Sequence, residues 1–453
     1  MSSARGKSGS GRVRRKGIRS LALVLVGLLW LTGCTGARRA LGYADQAGRA
    51  NQLARVSGRI DTEGPAEGPL VVVIARSPEV EGGALVGVDS FVRGRPGSYA
   101  FGVTPGRYQL GAYEDRNANG LLDPGERTLA VREGRVIEVG LAGSATENLL
   151  LGIDATSPPE LTEPVNVLDL VARTPKAQGE FSLWAWSVQG EFCDDLSDPK
   201  FGANSGPRGL WEVMDFLNEG LAGIYFLEPF DPDRIPVLFV HGISGFPQQF
   251  ETLIDALDRE HFQPWFYFYP SGFALDGLAR HLSILLERLQ VQLGFDELAV
   301  IAHSMGGLVA RGAILQYAAE TDRDDVGLFV TISTPWGGDV KAKGAASAPI
   351  ALPPSFDDMS PKSDYLRWLY YEDENEGLRS LPASTEFHMI FGYRMDGSSR
   401  IANDGIVSVA SQARLEAQAQ AVTIRALDYG HVAILDSPEA QAHLNELLRR
   451  RFR

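Results

Sequence analysis

The residues whose types and spacing could do chemistry are concentrated in residues 297–315, ELAVIAHSMGGLVARGAIL. The apolar run LAVIA predicts a buried strand, and after Gly307 the apolar spacing becomes helical. Ser304 stands at the sharp turn between them, which is the context of a serine nucleophile. A serine hydroxyl attacks a carbonyl only when a base takes its proton and backbone N–H groups take up the negative charge. We therefore predict that Ser304 is the nucleophile. The alternative is a serine in an ordinary strand-to-helix loop.

A base and an acid are present downstream of Ser304. His431 follows the last predicted strand, in DYGHVAIL, and serine, acid, histidine is one of the chain orders that such triads take. Asp404, in NDGIVS, follows the predicted strand EFHMIFGYR and is the candidate acid that orients the imidazole. Four other aspartates remain alternatives for the acid: Asp357, Asp358, Asp364 and Asp428.

The sequence also predicts backbone donors for the negative charge. An oxyanion hole combines the N–H of the residue after the nucleophile with an N–H from the loop after an earlier strand. The first donor is Met305. The second is assigned to Ile243, because the apolar run VLFV ends in HGISG, where Gly242 lets the backbone turn inward.

The elements that position these residues begin near residue 234, where predicted strands start to alternate with helices. This alternation predicts an α/β fold with a mostly parallel sheet and helices on both faces. We expect the catalytic domain over residues 179–453. An insertion at about 337–385 interrupts the alternation, and its aromatic end, SPKSDYLRWLYYEDE, is either a lid or packing over the sheet.

Residues 55–153 have a different pattern, with short β segments between Gly and Pro turns. This pattern predicts a small all-β sandwich of about seven strands, followed by a Pro-rich linker over residues 154–178. Within it, GSYAFGVTPGRYQLGAYEDRNANGLLDPGE resembles the transthyretin-like sandwiches known as carboxypeptidase regulatory-like domains.

A possible calcium loop lies inside that stretch, at residues 115–126. Its oxygen-bearing residues match each ligand position of a twelve-residue calcium loop: Asp115, Asn117, Asn119, the Leu121 carbonyl, Asp123 and Glu126. Two of the ligands are neutral, so we expect a structural Ca²⁺ of weak affinity. The alternative is a polar turn that holds no metal. No cofactor is expected for catalysis.

The N-terminus predicts export. Residues 1–20 carry seven basic residues and no acidic one, and an apolar run of eleven residues follows. This run is too short to span a bilayer, so residues 1–33 are predicted to be a signal peptide. The sequence LTGC resembles the lipobox of bacterial lipoproteins, which implies that Cys34 is diacylated and becomes the new N-terminus. A plain secretory signal is the alternative.

These features predict a protein of the cell envelope, anchored by lipid in the outer membrane, with residues 34–54 as a polar tether. Loss of the seven basic residues would change the net charge of −14 to −21. Such an acidic chain is not expected to bind nucleic acid.

Five motifs occur in one order over about residues 235–445: VLFVHGISG, AHSMGGLVAR, ISTPWGG, NDGIVSVAS and GHVAIL. Through them the chain resembles the bacterial triacylglycerol lipase and esterase branch of the α/β-hydrolases, including the minimal lipases of Bacillus. The resemblance implies a doubly wound sheet with Ser304 as nucleophile, Asp404 as acid and His431 as base. It also implies Ile243 and Met305 as the oxyanion pair. Trp336 differs, since many relatives have histidine there.

The predicted function is therefore hydrolysis of carboxylic esters, either lipids or small acyl esters, through an acyl-enzyme. Two alternatives remain. One is an acyltransferase that uses the same triad, and the other is a non-catalytic, surface-anchored binding module on a hydrolase scaffold.

Overall fold

The computed structural model describes residues 34–77, 85–129, 135–156, 161–165, 188–193, 195–340, 342, 352–372, 377–394 and 402–453. The predicted signal peptide lies outside these ranges, as does most of the predicted linker. Within the ranges, no helix has both the length and the apolar character needed to cross a bilayer.

The first described element is a helix, α1 (Cys34–Ala50), where the sequence led us to expect a flexible tether over residues 34–54. Its second half packs on the catalytic region. Tyr43 and Gln46 are buried, and Ala47 and Ala50 lie against one of the main hydrophobic clusters. The expectation of a tether is wrong for this segment, because contacts with distant residues stabilise it as a helix.

Nine strands follow and form two sheets. They are β1 (Ala54–Thr62), β2 (Leu70–Arg76), β3 (Val86–Arg93), β4 (Gly97–Val103), β5 (Gly106–Glu114), β6 (Thr128–Leu129), β7 (Ile137–Val139), β8 (Ser144–Thr146) and β9 (Leu149–Leu151). One sheet has the order β4-β1-β8, with β9 also paired to β1, and the other has the order β3-β2-β5-β6, with β7 paired to β5. Alternate residues of both sheets share one hydrophobic cluster. We refer to residues 54–151 as the β region.

The next helices and strands carry the catalytic region. The strands are β10 (Val188–Phe192), β11 (Gly223–Phe226), β12 (Ile235–Val240), β13 (Phe262–Phe268), β14 (Leu298–His303), β15 (Val326–Ile332), β16 (Glu386–Gly392) and β17 (Thr423–Leu427). The helices are α2 (Ser205–Trp211), α3 (Val213–Asn218), α4 (Glu251–Asp255), α5 (Leu275–Leu293), α6 (Met305–Thr321), α7 (Pro354–Asp358), α8 (Asp364–Trp368), α9 (Val409–Gln412), α10 (Leu415–Gln418) and α11 (Pro438–Phe452). Short 3₁₀ turns occur at Pro199–Phe201, Pro247–Phe250 and Ala433–Asp436.

The eight strands form one sheet with the order β10-β11-β13-β12-β14-β15-β16-β17. All pairs from β13 to β17 are parallel, whereas β11 runs antiparallel to β13. The apolar runs of the central strands are buried on both faces, as a parallel sheet between helices requires. One hydrophobic cluster joins the sheet to α5 and α6, and a second joins its other face to α2, α3 and α11. The sheet of the predicted α/β-hydrolase fold is therefore present.

The β region contacts the catalytic region through an ion pair that is buried on both sides. The Arg93 guanidinium lies 3.1 Å from the Glu287 carboxylate of α5, and the two side chains are 3% and 4% exposed. Arg93 and Arg95 also donate to the Glu320 carbonyl, at 2.9 and 3.0 Å. The Glu320 carbonyl lies in the last turn of α6, where the carbonyl groups of a helix have no partner within it and carry a partial negative charge. The β region thus supplies the C-terminal partners of the helix that follows Ser304.

The insertion packs on the catalytic region over its described residues. Tyr365, Leu366 and Tyr370 are buried in the cluster that contains α6. Arg311 of α6, fully buried, donates to the Leu369 carbonyl at 3.1 Å, and Tyr365 donates to the Leu308 carbonyl at 3.0 Å. Of the two roles considered for this aromatic stretch, packing over the sheet is the one that these contacts match.

Candidate active site

Ser304 lies at the turn between β14 and α6, in a strained conformation. Its φ of 55° and ψ of −130° are rare for a residue with a side chain, and this geometry directs the hydroxyl out of the turn, above the sheet. The turn is held because the Ser304 N–H donates to the Ile332 carbonyl of β15 at 2.8 Å. Gly306 makes the turn possible, since a Cβ there would lie 2.4 Å from the His241 carbonyl oxygen.

The structure brings the three predicted catalytic residues into one hydrogen-bonded chain. His431 Nε2 lies 2.8 Å from Ser304 Oγ, and His431 Nδ1 lies 2.6 Å from Asp404 Oδ2. All three are buried, with exposed fractions of 6% for Ser304, 7% for His431 and 1% for Asp404. With Nδ1–H donating to Asp404, Nε2 is left to accept the serine proton.

Asp404 is held as an ionised acceptor. Burial alone would raise the pKa of its carboxyl, but the hydrogen bond and charge of His431 and the backbone N–H groups of Val407 and Ile406 lower it below the ordinary value. Those N–H groups donate to Oδ1 at 2.7 and 2.9 Å, which leaves Oδ2 for His431. Among the alternatives, Asp358 instead accepts from the Leu275 N–H at 2.7 Å.

The two predicted oxyanion donors lie in segments that touch the nucleophile. Met305 is the first residue of α6, where backbone N–H groups have no partner within the helix. Ile243 follows Gly242, at which a Cβ would lie 2.8 Å from Ser304 Cβ. His241 stacks on Tyr269 at 4.1 Å, and burial lowers its pKa to about 4, so it is a neutral support of this loop.

A fourth residue, His303, was not assigned a role from the sequence. Its Nε2 donates to the His431 carbonyl at 2.8 Å, and its ring centroid lies 4.9 Å from that of His431. Burial lowers the pKa of His303 to about 3, so the ring is neutral beside the base. The only signal in the sequence is its position directly before Ser304, which does not identify the contact.

Trp336, which differs from many relatives, is not part of this chain of hydrogen bonds. It is buried and packs edge-on against Phe387 at 5.6 Å and Tyr370 at 6.2 Å. Through its contact with Tyr370, Trp336 holds the insertion against the catalytic region.

The loop at residues 115–126 collects acidic side chains at some distance from the triad. Asp115 accepts from the Asn119 and Gly120 N–H groups, and Glu126 accepts from those of Arg116 and Asp123. Burial, together with neighbouring carboxylates, raises the pKa of Asp115 and Glu126.

These oxygens are the ligand type that Ca²⁺ prefers, so the donor set fits the ion. The geometry is looser than that of a loaded site. In the described parts of the chain, the only three acidic or histidine side chains whose ligand atoms lie within 4.8 Å of one another are Asp258, Glu260 and His261. The 115–126 loop would therefore have to contract around an ion.

Comparisons with known proteins give the following. The lecithin:cholesterol acyltransferase family model matches residues 278–347, a minor part of the chain that includes Ser304. A search of the curated proteins returned no match. Many solved structures are similar to this one, three of them as follows.

A Listeria innocua protein has 18% identity and a TM-score of 0.37, covering 48% of this chain and 95% of its own. A Bacillus licheniformis lipase, BlEst2, has 17% identity and a TM-score of 0.39, covering 50% and 97%. Aspergillus fumigatus lipase B has 19% identity and a TM-score of 0.38, covering 50% and 56%.

The eight-stranded, mostly parallel sheet is that of an α/β-hydrolase fold, and the family match covers the segment of this fold that carries Ser304.

Proposed function

We propose that the protein is a serine hydrolase of lipid or acyl esters, anchored in the cell envelope through Cys34. The observation that carries the proposal is the hydrogen-bonded chain from Asp404 through His431 to Ser304. It has the order and geometry that make a serine hydroxyl nucleophilic.

The reaction would proceed in two steps. His431 Nε2 takes the proton of Ser304 as Oγ attacks the ester carbonyl carbon, and the backbone N–H groups of Ile243 and Met305 stabilise the oxyanion. The tetrahedral intermediate collapses, the proton passes from His431 to the leaving alcohol, and an acyl-serine remains. Water, deprotonated by His431, then attacks the acyl-serine; the bond to Ser304 Oγ breaks, the acid is released, and His431 returns the proton to Oγ. Asp404 stays ionised and stabilises the imidazolium in both steps.

Apolar side chains beside the triad support an acyl or lipid ester as substrate. Ile406, two residues after Asp404, is 49% exposed, and Val432, next to His431, is 46% exposed. The loops that carry them touch, because the His431 N–H donates to the Asp404 carbonyl at 2.9 Å. Such a rim favours apolar substrates over sugars or peptides.

The test is labelling of the pure protein by a fluorophosphonate probe, compared between wild type and Ser304→Ala. We expect labelling of wild type only, and a loss of ester hydrolysis on the order of 10⁶-fold in the variant, because the nucleophile is absent. Labelling that persists in Ser304→Ala would exclude this serine as the nucleophile. A series of p-nitrophenyl esters of increasing chain length then defines the acyl preference.

Acyl transfer is a second candidate. The family match favours it, since that family is named after an acyltransferase. In this case an alcohol replaces water in the second step. Product analysis with and without an added alcohol separates the two activities: a hydrolase releases free acid in both, whereas a transferase forms a new ester at the expense of free acid.

A further inference from the structure

We propose that α1 holds the catalytic region in a fixed orientation against the bilayer that carries the acyl chains of Cys34, so that the enzyme acts on lipid esters of that same bilayer. This inference rests on the proposed function and its lipid anchor, and it identifies the source of the substrate.

The first contact of α1 is a cap on helix α3. Gln46 Oε1 accepts from the N–H groups of Met214 and Asp215, at 2.8 and 3.1 Å. These are first-turn donors of α3, and the side chain of the N-cap residue, Glu212, makes no capping hydrogen bond to them. Gln46 and Arg49 also donate to the two carboxylate oxygens of Asp215, at 2.7 and 2.6 Å. A buried glutamine with this many partners fixes the rotation of α1 on the catalytic region.

The second contact is apolar. Tyr43, 4% exposed, packs edge-on against Trp211 with 6.3 Å between ring centroids. Tyr43 belongs to the hydrophobic cluster that contains residues of β12, β14 and β15. Helix α1 is therefore part of the catalytic core rather than an attachment to its surface.

Helix α2, on which α1 packs, borders the active site. At Gly206 of α2, a Cβ would lie 2.1 Å from the Ser244 carbonyl oxygen, which is next to the oxyanion donor Ile243. Trp211, at the end of α2, lies 6.3 Å from Phe356 of the insertion. The contacts thus run from α1 through α2 to the oxyanion loop.

Helix geometry then limits the distance between the docked part of α1 and the membrane. Tyr43 lies nine positions after Cys34, and at 1.5 Å per residue this rise is about 14 Å. A flexible tether of twenty residues would have an end-to-end distance of roughly 25 Å in any direction. The docked helix instead places the acylated end at one position, close to the elements that border the active site.

The apolar rim formed by Ile406 and Val432 suits such an arrangement. Both residues are about half exposed and stand beside the acid and the base. A bilayer close to this rim could supply acyl chains without their passage through water, which is the costly step for an apolar substrate.

The experiment uses the full chain with its native acyl chains, reconstituted in phospholipid vesicles. Ser304 is labelled with a fluorophosphonate that carries a fluorophore, and quenching by nitroxide-labelled headgroups reports its distance from the bilayer. We expect strong quenching in wild type and in Asp45→Ala, a control at an exposed position of the same helix. We expect weak quenching in Gln46→Ala/Arg49→Ala, which loses the contacts with Asp215.

A second variant tests the same inference without changing the docking contacts, in case the first variant does not fold. A flexible Gly/Ser insertion of about ten residues between Gly36 and Ala37 leaves the docking contacts intact but separates them from the anchor, so quenching should fall. Asp45→Ala and the insertion variant should hydrolyse a short water-soluble ester at the wild-type rate.

The functional readout is the rate on a fluorogenic lipid ester placed either in the enzyme's own vesicles or in separate vesicles. We expect a preference for the enzyme's own vesicles of about tenfold or more, because anchoring raises the effective substrate concentration. The insertion variant should reduce the preference. Equal quenching in all variants, or equal rates on the two vesicle populations, would overturn the inference. Failure of Ser304 to react with the probe would instead overturn the proposed function.

Discussion

At the scale of single residues, His303 and His431 are neighbours although 128 positions separate them in the chain. His303 donates to the backbone of the base rather than to its ring, so it fixes where the loop of His431 lies. Its neutrality matters as well, because a charged group at 4.9 Å would oppose the imidazolium that forms when Ser304 loses its proton.

We predict that His303→Phe lowers kcat and leaves KM for a short ester nearly unchanged. The ring volume is retained, but the donor to the His431 carbonyl is lost, and a displacement of about 1 Å of a catalytic group can reduce the rate by about 10²-fold. Steady-state kinetics with a p-nitrophenyl ester measures this. His303→Gln, which keeps an amide donor of similar reach, should recover most of the rate. An equally slow Gln variant would show that ring packing, and not the hydrogen bond, is what matters.

The order of the triad could be predicted from the sequence, because Ser304 lies in a strand–turn–helix pattern and His431 follows the last strand. The acid was less certain, since five aspartates were candidates. What separates Asp404 from the others is tertiary: two backbone N–H groups orient its carboxylate, and the loop of His431 folds onto it. Sequence spacing carries no information about these contacts. For the same reason, the contact between His303 and the His431 carbonyl could not be predicted from the sequence.

At the scale of elements, α1 shows how distant contacts override local preference. Its sequence, CTGARRALGYADQAGRA, contains three glycines, each of which disfavours a helix. The partners that stabilise it, Met214 and Asp215, lie 168 and 169 positions away. The central strands β12, β13, β14 and β15 were easier to predict, because buried parallel strands have nearly continuous apolar sequences.

The 115–126 loop leads to a prediction about calcium, which we propose as a structural ion of the β region. Added Ca²⁺ should raise the melting temperature of the protein in a concentration-dependent manner, because an ion that binds only the folded state stabilises it. It would also offset the burial and the repulsion between carboxylates that together raise the pKa of Asp115 and Glu126. Differential scanning fluorimetry with Ca²⁺ or a chelator measures the shift.

Two variants sharpen this measurement. Glu126→Gln should abolish the response to Ca²⁺, whereas Glu138→Gln, at an exposed position of β7, should retain it. A melting temperature that is the same with Ca²⁺ and with chelator in the wild-type protein would contradict the calcium site.

At the scale of the whole molecule, four buried histidines make stability depend on pH. Burial lowers the pKa of His241 and His388 to about 4 and that of His281 and His303 to about 3. In the unfolded chain, histidine takes up a proton below a pH of about 6.5. The unfolded state therefore binds more protons than the folded state between pH 6.5 and about 4, and stability is lost as the pH falls through this range. Above pH 7 both states are neutral at these positions.

We predict a decrease in the free energy of unfolding from pH 7.5 to pH 5, with each of the four histidines contributing about 1.4 kcal/mol per pH unit below 6.5. Urea unfolding at a series of pH values measures the slope. His281→Gln, neutral at every pH, should reduce the slope of the unfolding free energy against pH by the contribution of one histidine. A slope that this substitution does not change would refute the assignment.

The two hydrophobic clusters on the faces of the sheet have a consequence for biogenesis. Tyr43, near the start of the described chain, and Leu448, near its end, belong to the same cluster, together with the central strands between them. Arg93 likewise reaches its partners, Glu287 and Glu320, only after some two hundred further residues have been added. The catalytic core can therefore be completed only when nearly the whole chain has emerged, and until then its apolar strands need protection from aggregation. For a chain exported unfolded, this protection would have to come from chaperones on the far side of the membrane.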